Sequence, residues 1–237
     1  MSALGISAPV RERPRRLLAV VVATIFFWSA GDLLAAVRVC TYNLLQYDSS
    51  ASVRDPDMRL VLSAINPDVI CVQEIANTNA VNNFRNNVLN ASGGPGQSDP
   101  YAMATFSDTS SPLDIALFYR SSKFTFPAGA GSYIVLPRLS SPRDAYRWRL
   151  RPVSDSSGAN DLFIYGMHLA ASVPSERAEQ AQTVRNDANA LPAGTHFIFC
   201  GDFNIDSTSE TSYQNFTGSQ ANNNGRGWDA LNPNGLL

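Results

Sequence analysis

Four apolar runs, each followed directly by polar residues, constrain this chain more than any other feature. They cover residues 37–42, 69–72, 162–167 and 197–201. Each run is short and rich in β-branched or aromatic residues, which is typical of a buried strand in an α/β protein. The polar residues at their ends include Asn43, Glu74, His168, Asp202 and Asn204. Because active sites of layered α/β proteins form at the carboxyl ends of strands, we expect one polar cleft there.

Each of these residues also has an ordinary structural explanation. Asn and Asp at a strand end are common turn formers. A Glu at a strand exit is commonly a solvated surface residue, and a single His after a strand is commonly structural. Together, however, oxygen ligands, one imidazole and an Asp-x-Asn pair form a set suited to hydrolysis.

The remaining pattern favours two packed sheets. A helix is predicted to begin at Asp55 and to end before Pro67, and others are predicted over residues 78–90, 175–190 and 209–216. Strand-like runs follow one another between residues 101 and 167, which is typical of hairpins. This order favours an α/β fold of two sheets packed face to face with helices outside, rather than one doubly wound parallel sheet. No interdomain linker is evident, so we expect one domain over residues 37–237.

The first 36 residues form a separate unit. Four arginines between residues 11 and 16 precede an apolar run at residues 17–28, and small residues lead to Ala36. A basic start, a short apolar centre and a small-residue exit predict a secretory signal peptide over residues 1–36, and hence a secreted or periplasmic protein. The alternative is an uncleaved membrane anchor, but the apolar run is short for a span and Asp32 interrupts its extension.

The charge of the chain excludes one class of function. Without residues 1–36, the chain has 14 basic and 18 acidic residues, a net charge of −4. No strong basic field draws such a protein to nucleic acid, which argues against a passive nucleic-acid-binding module. An enzyme that grips phosphate through a metal ion and a few arginines is not excluded. The sequence indicates no stable protein partner, and membrane contact is expected only through an uncleaved signal.

Three cysteines, Cys40, Cys71 and Cys200, each lie in an apolar run. An odd number without close spacing predicts neither a disulfide framework nor a zinc site. We interpret all three as small buried core residues. A bridge between Cys40 and Cys71 is the alternative in an oxidising compartment.

Four short motifs resemble those of the endonuclease/exonuclease/phosphatase superfamily, in the same order. They are Thr41-Tyr42-Asn43, Val72-Gln73-Glu74, Met167-His168-Leu169 and Gly201-Asp202-Phe203-Asn204. The last motif, after a buried strand, is the most specific, and a run at residues 113–119 resembles secreted bacterial members. The resemblance covers about residues 37–235 and implies a four-layer α/β/β/α sandwich of two mixed sheets. It also implies metal-dependent hydrolysis of phosphodiester bonds, of the endonuclease type, with nucleic acid among the candidate substrates.

The same resemblance implies a role for each motif residue. Glu74, assisted by Asn43, would hold the metal ion, for which Mg²⁺ is the natural choice and Mn²⁺ or Ca²⁺ the alternatives. Asp202 would orient or deprotonate the attacking water. Asn204 would donate to the phosphoryl oxygen as charge builds on it. His168 would hydrogen-bond the phosphate or serve as an acid–base group.

Two further residues are candidates for substrate binding. Asp114 resembles a polar position on a strand that faces the cleft, although any alternating strand also exposes every second residue. Arg143 could clamp a phosphate with two hydrogen bonds. However, Arg143, Arg147, Arg149 and Arg151 equally suit the solvated face of a strand.

The closing motif of the superfamily has no match after Asn204. That motif is a Ser-Asp-His element, or an Asp-rich substitute, on a late strand. We therefore expect a sandwich that is incomplete at its C-terminus, with an open sheet edge and weakened catalysis. Three hypotheses stay open: a secreted nuclease, a phosphoesterase acting on phospholipids or small phosphate esters, and a catalytically inactive fragment.

Overall fold

A computed structural model describes residues 20–25, 36–109, 111–136 and 144–229. The strands within these ranges are β1 (Val20–Ile25), β2 (Val37–Tyr47), β3 (Val69–Ile75), β4 (Tyr101–Met103), β5 (Asp114–Arg120), β6 (Phe124–Thr125), β7 (Tyr133–Leu136), β8 (Ala145–Pro152), β9 (Leu162–His168) and β10 (His196–Asp202). The α-helices are α1 (Asp55–Ile65), α2 (Thr78–Asn83), α3 (Pro174–Asn189) and α4 (Thr211–Thr217). A 3₁₀ turn at Ser49–Arg54 leads into α1, and a π-helical turn at Phe84–Leu89 follows α2.

The strands form two mixed sheets. The first sheet has the order β1-β2-β3-β5-β4, in which β2 and β3 are parallel and the other neighbours are antiparallel. The second sheet has the order β10-β9-β8-β6, and β7 also pairs with β8. Its β9 and β10 are parallel, while β8 is antiparallel to its neighbours. Each sheet thus contains one parallel pair, β2/β3 or β9/β10, whose carboxyl ends carry the predicted polar residues.

Three apolar clusters separate four layers. The first cluster fills the space between the first sheet and the helical segments before β4, with Leu62 and Phe84 at its centre. The second lies between the two sheets and includes Trp148. The third joins the second sheet to α3 and α4 through residues such as Val184 and Phe216. This arrangement confirms the predicted α/β sandwich with helices outside.

Two predicted helices differ from the observed ones. The helix predicted over residues 78–90 is divided into α2 and the π-helical turn. The Asn77 side chain caps the start of α2 by accepting from the Ala80 backbone nitrogen. The Asn-rich sequence that follows favours a regular helix poorly. The last helix begins at Thr211, after Glu210, and not after Ser209. The side chain of Glu210 is instead engaged by Arg177, which leaves the start of α4 without a side-chain cap.

The N-terminal segment that was set apart in the sequence contributes a strand. The backbone of β1 pairs antiparallel with β2, from Val20 opposite Tyr42 to Ile25 opposite Val37. Its β-branched sequence, Val-Val-Val-Ala-Thr-Ile, favours this conformation once an unpaired strand edge is near. The flanking residues 1–19 and 26–35 lie outside the described ranges, and the signal peptide stays a prediction. None of the helices in the described ranges combines the length and apolar character that crossing a membrane requires.

Two buried arginines of α3 hold the segment that follows β10. Arg177 donates to both carboxylate oxygens of Glu210, at 2.7 and 3.0 Å. Arg185 donates to the carbonyl oxygens of Asn215, Phe216 and Gly218, at 3.0–3.2 Å. These contacts secure α4 and the chain beyond it against the outer face of α3.

Candidate active site

Asn43, near the carboxyl end of β2, connects the two sheets. Its amide nitrogen donates to Glu74 Oε1 at 2.9 Å and to Asp202 Oδ2 at 3.0 Å. Its amide oxygen accepts from the backbone nitrogen of Leu45 at 2.9 Å. Leu45 and Gln46 have φ values of 52° and 53°, so the chain turns sharply here while the strand continues to Tyr47. This turn holds the Asn43 amide between the two carboxylates.

Glu74 lies at a bulge in β3. The pairing of β3 with both neighbours shifts around it, and its φ of 60° is rare for a residue with a side chain. Its Oε2 atom accepts from the backbone nitrogen of Gln46 at 3.1 Å. Such an unusual conformation at a strand end is characteristic of functional sites, and here it accompanies a carboxylate aimed at Asn43.

His168 and Asp202 are direct neighbours at the ends of β9 and β10. The two residues are paired in the parallel ladder. The Nε2 atom of His168 lies 3.7 Å from Asp202 Oδ2 and 3.8 Å from Glu74 Oε1. His168 is only 3% exposed, whereas the Asp202 side chain is 33% exposed. The imidazole therefore forms the floor of the cleft, and the Asp202 carboxylate reaches solvent.

Asn204 supports Asp202 from the loop that follows β10. Its backbone nitrogen donates to Asp202 Oδ1 at 3.2 Å, and its side-chain nitrogen donates to the Leu169 carbonyl oxygen at 2.9 Å. Its φ of 50° suits asparagine, which tolerates the left-handed region better than most residues. Asn204 thus ties the loops after β9 and β10 together beside the catalytic candidates.

Asp114 occupies a different position from the other acidic candidates. It is buried at the start of β5 and is paired with Ile75, the residue after Glu74. Its carboxylate accepts from the backbone nitrogen of Thr109 at 2.9 Å and from the Thr109 hydroxyl. Burial is the main cause that raises the pKa of this carboxyl. Asp114 therefore anchors the loop before β5, and Arg143, the other predicted substrate-binding residue, lies outside the described residues.

The donor set at the cleft fits a hard divalent cation. Two carboxylates converge on one amide, and Mg²⁺ is commonly held by one or two carboxylates together with water and substrate phosphate. Among the residues that the structure describes, no group of three or more His, Cys, Asp and Glu side chains forms a ready-made metal centre. Glu74 is the best-placed ligand, because Gln46 and Asn43 orient both of its oxygens.

Comparison with known families decides the classification. The profile of the Endonuclease/Exonuclease/phosphatase family matches residues 40–235. The chain belongs to this family. Its members are hydrolases, including nucleases and phosphatases, and they generally use divalent metals. A comparison with curated protein sequences returned no match.

Solved structures confirm the family fold. A D. rerio TDP2 humanised by 14 mutations is 17% identical, with a TM-score of 0.58 over 78% of this chain and 68% of that one. D. rerio TDP2 complexed with a single-strand DNA product is 17% identical, with a TM-score of 0.55 over 73% and 62% of the two chains. The mannosyl-6-phosphatase Bt3783 of Bacteroides thetaiotaomicron is 20% identical, with a TM-score of 0.55 over 76% and 69%. The chain thus spans about two thirds of the length of these structures.

Two parts of this family site were not predicted from the sequence. The backbone nitrogens of Leu45 and Gln46 fix Asn43 and Glu74, but neither residue is a glycine or an asparagine that would signal a left-handed turn. The second part is Gly201, whose role in positioning β10 against β9 was not predicted. Its φ of 146° brings β10 so close to β9 that a Cβ atom would lie 1.9 Å from the Met167 carbonyl oxygen.

Proposed function

We propose that this protein is a divalent-metal-dependent phosphodiesterase, most similar in mechanism to an endonuclease. One observation carries the proposal. The Asn43 amide joins Glu74 to Asp202, and His168 Nε2 lies within 4 Å of both carboxylates. The proposed metal ligand, the proposed base and an imidazole thus surround one point, which supports hydrolysis of a phosphate ester.

Glu74, with assistance from Asn43, is the proposed holder of Mg²⁺, with Mn²⁺ and Ca²⁺ as alternatives. A bound divalent ion would neutralise charge on the phosphate and on the leaving oxygen. The protein contributes orientation, since Glu74 Oε2 is fixed by the Gln46 backbone and Oε1 by Asn43. Asn43 now directs its nitrogen at the carboxylates, so an amide that binds the ion through oxygen would have to rotate.

Asp202 is the proposed base. Its carboxylate is the exposed member of the pair, and hydrogen bonds from Asn43 and the Asn204 backbone hold its two oxygens. These bonds aim the carboxylate at a position that solvent reaches. A water molecule there would lose its proton to Asp202 as it attacks the phosphorus atom in line with the leaving oxygen.

His168 and Asn204 are the proposed contacts to the phosphoryl oxygens. The imidazole of His168 lies beside both acidic groups, where a ring N–H could donate to the phosphate. Asn204 would donate from its side chain, which lies in the loop that directly follows Asp202. Donors aimed at developing negative charge are commonly worth a hundred- to a thousand-fold in rate each, about 3 kcal/mol.

The proposed substrate class is a nucleic acid, by analogy with the fold neighbours. D. rerio TDP2 was solved with a single-strand DNA product, and the same fold also serves a mannosyl-6-phosphatase. A second candidate, a phospholipid or other ester with an apolar part, is favoured by one observation. An apolar groove of about 560 Å³ borders the cleft at Thr41, Gly201 and Phe203 and reaches Trp228. The net charge of −4 without residues 1–36 also favours a less anionic substrate than a long polynucleotide.

Secretion is proposed on the N-terminal sequence alone. The basic and apolar pattern of residues 1–36 supports export to the periplasm or medium with removal of the segment near Ala36. N-terminal sequencing of the protein recovered from the medium or periplasm tests this. Recovery of the intact N-terminus in the membrane fraction would instead establish the anchor.

The decisive experiment measures hydrolysis by the purified chain on plasmid DNA and on sphingomyelin, with Mg²⁺, Mn²⁺, Ca²⁺ or EDTA. Activity should need a divalent ion and should fall at least a hundred-fold in Glu74→Ala and Asp202→Ala. Glu179→Ala on α3 and Asp57→Ala on α1 are matched controls, because both side chains are exposed outside the cleft. Activity that survives EDTA or both cleft substitutions would refute the mechanism. A folded chain that hydrolyses neither ester would instead favour the inactive alternative.

A further inference from the structure

Two thiols from different sheets meet beneath the cleft. Cys71 on β3 faces the space between the sheets, and Cys200 on β10 faces it from the other side. Cys200 is paired with Gly166 on β9, and a Cβ atom on Gly166 would lie 2.8 Å from Cys71 Sγ. The Cys71 sulfur therefore lies against the ladder partner of Cys200, and both thiols belong to the apolar cluster between the sheets.

The pairing suggested by the sequence, between Cys40 and Cys71, does not have this geometry. Cys40 is opposite Ile70 in the parallel ladder and belongs to the cluster on the helix side of the first sheet. Cys71 belongs to the cluster between the sheets. The two side chains thus point to opposite faces of the same sheet, and all three cysteines are buried thiols.

We propose that Cys71 and Cys200 form a disulfide bond between the two sheets when the chain folds in the presence of a disulfide oxidant. Strands β3 and β10 bring Cα atoms within 8 Å of each other, closer than the roughly 10 Å typical of packed sheets. Gly166 permits this approach because it leaves room for the Cys71 sulfur. A disulfide needs about 4.4–6.8 Å between Cα atoms, and strands that approach each other this closely can reach that separation.

The bond would form by two thiol–disulfide exchanges with an oxidant such as oxidised glutathione. The thiolate of one cysteine attacks the glutathione disulfide, which releases one glutathione thiolate and leaves a mixed disulfide on the protein. The second cysteine thiolate attacks the protein sulfur of that mixed disulfide and releases the second glutathione. Two cysteine thiols are oxidised, one glutathione disulfide is reduced, and the two protons pass to the released thiolates.

Formation is expected during folding, before the core closes. Both thiols are buried in the folded chain, and Cys71 is fully inaccessible, so an oxidant cannot reach the Cys71 sulfur once the core has closed. The interaction of the protonated Cys200 thiol with the Cys71 sulfur, together with burial, raises the pKa of Cys200 well above its ordinary value, which makes its thiolate scarce. The bond would lie close to the candidate active site, because Cys71 precedes Glu74 by three residues and Cys200 precedes Asp202 by two. A bridge there would fix the separation of the two strands that carry those carboxylates.

The test is to refold the reduced full chain in reduced and oxidised glutathione, alkylate the remaining thiols, and digest it without reduction for mass spectrometry. We expect one cross-linked peptide joining Cys71 to Cys200 and an alkylated Cys40. Cys40→Ala should leave the cross-link intact, whereas Cys200→Ala should abolish it. Because the readout is the peptide mass, the result does not depend on whether the chain hydrolyses any ester.

A second measurement reports the effect of the bond on the fold. The bridged chain should melt about 5–10 °C above the same chain after reduction, because the bond closes a long loop in the unfolded state. Alkylation of both Cys71 and Cys200 after oxidative refolding, or a cross-link from either one to Cys40, would overturn the proposal. So would a glutathione retained on Cys71 or Cys200.

Discussion

The amide nitrogen of Asn43 donates to Asp202 Oδ2 across 3.0 Å and thereby joins the first sheet to the second at the mouth of the cleft. The same nitrogen donates to Glu74 Oε1, so one neutral donor separates two acidic side chains. Without it, the two carboxylates would lose the hydrogen-bond donor that they share. This relationship makes Asn43 a structural residue as well as a proposed site residue.

Asn43→Asp should therefore destabilise the chain. The substitution keeps the shape of the side chain but replaces the shared donor with a third negative group, so the free energy of unfolding in EDTA should fall by about 2 kcal/mol. Urea unfolding followed by tryptophan fluorescence measures this. Asn186→Asp, on the exposed face of α3, is the control and should change stability by less than about 0.5 kcal/mol. Equal effects of the two substitutions would contradict the assigned role of Asn43.

Saturating Mg²⁺ should raise the melting temperature of the wild-type chain. Binding to the folded state alone contributes about 2.7 kcal/mol at a hundred times the dissociation constant. Glu74→Gln removes the charge of the proposed ligand with little change in shape and should abolish most of the shift. Differential scanning fluorimetry with and without Mg²⁺ provides the measurement. A shift that is the same in Glu74→Gln as in wild type would place the ion elsewhere.

Gly201→Ala should destabilise the chain by more than about 3 kcal/mol. Its φ of 146° is strained for alanine, and the new methyl group would overlap the Met167 carbonyl on β9. Gly194→Ala isolates the backbone term, because Gly194 has a φ of 82° and no atoms near the added Cβ. It should cost about 1 kcal/mol. If unfolding by urea shows equal costs for both, β9 and β10 are not as close as described.

Glu210→Gln should lower the free energy of unfolding at neutral pH and make that free energy less dependent on pH in acid. Hydrogen bonds from Arg177 are the main cause that lowers the pKa of Glu210 from 4.5 to about 2. A carboxyl with a lowered folded pKa contributes stability fully above pH 4.5 and loses it as the pH falls towards 2. The difference between wild type and Glu210→Gln should thus shrink between pH 5 and pH 2, as measured by urea midpoints. A constant difference over this range would show that the Arg177–Glu210 ion pair does not cause the difference in stability.

Arg185→Met should loosen the chain that follows α4. The guanidinium is fully buried and donates to four backbone carbonyl oxygens, those of Asn215, Phe216, Gly218 and Asn222, and methionine would remove all of these hydrogen bonds. A loss of about 2–4 kcal/mol is expected, with faster proteolysis between residues 218 and 229. Arg226→Met is the control from the same segment, because Arg226 is exposed and its side chain donates only to the Thr217 carbonyl in the described contacts. Proteolysis rates that do not differ between the two variants would argue against this anchoring.

The ends of the buried strands could be predicted because apolar runs stop abruptly at polar residues. That pattern located His168 and Asp202 correctly at the ends of β9 and β10, whereas β2 continues past Asn43 to Tyr47. Glu74 was located as well, but its bulge was not, since nothing in Val-Gln-Glu-Ile signals a left-handed backbone. The buried stripe of α3, with Ala181 and Val184, followed from helical spacing.

Other relationships depend on the packing of distant segments and leave no local signal. Asn43 and Asp202 are 159 residues apart, and their contact exists only because the two sheets meet. Helical spacing alone does not indicate that Arg177 and Arg185 are buried. They are buried because the segment after β10, which has little apolar periodicity, folds over α3 and supplies Glu210 and carbonyl oxygens as partners.

The in-register pairing of His168 with Asp202 also has a consequence for how this protein can vary among its relatives. Deleting or inserting one residue within β9 or β10 would bring Gly201 or Phe203 opposite His168 and would turn the alternate side chains to the other face. Changes in chain length are therefore confined to the connections, such as residues 153–161, where an added residue leaves the ladder untouched.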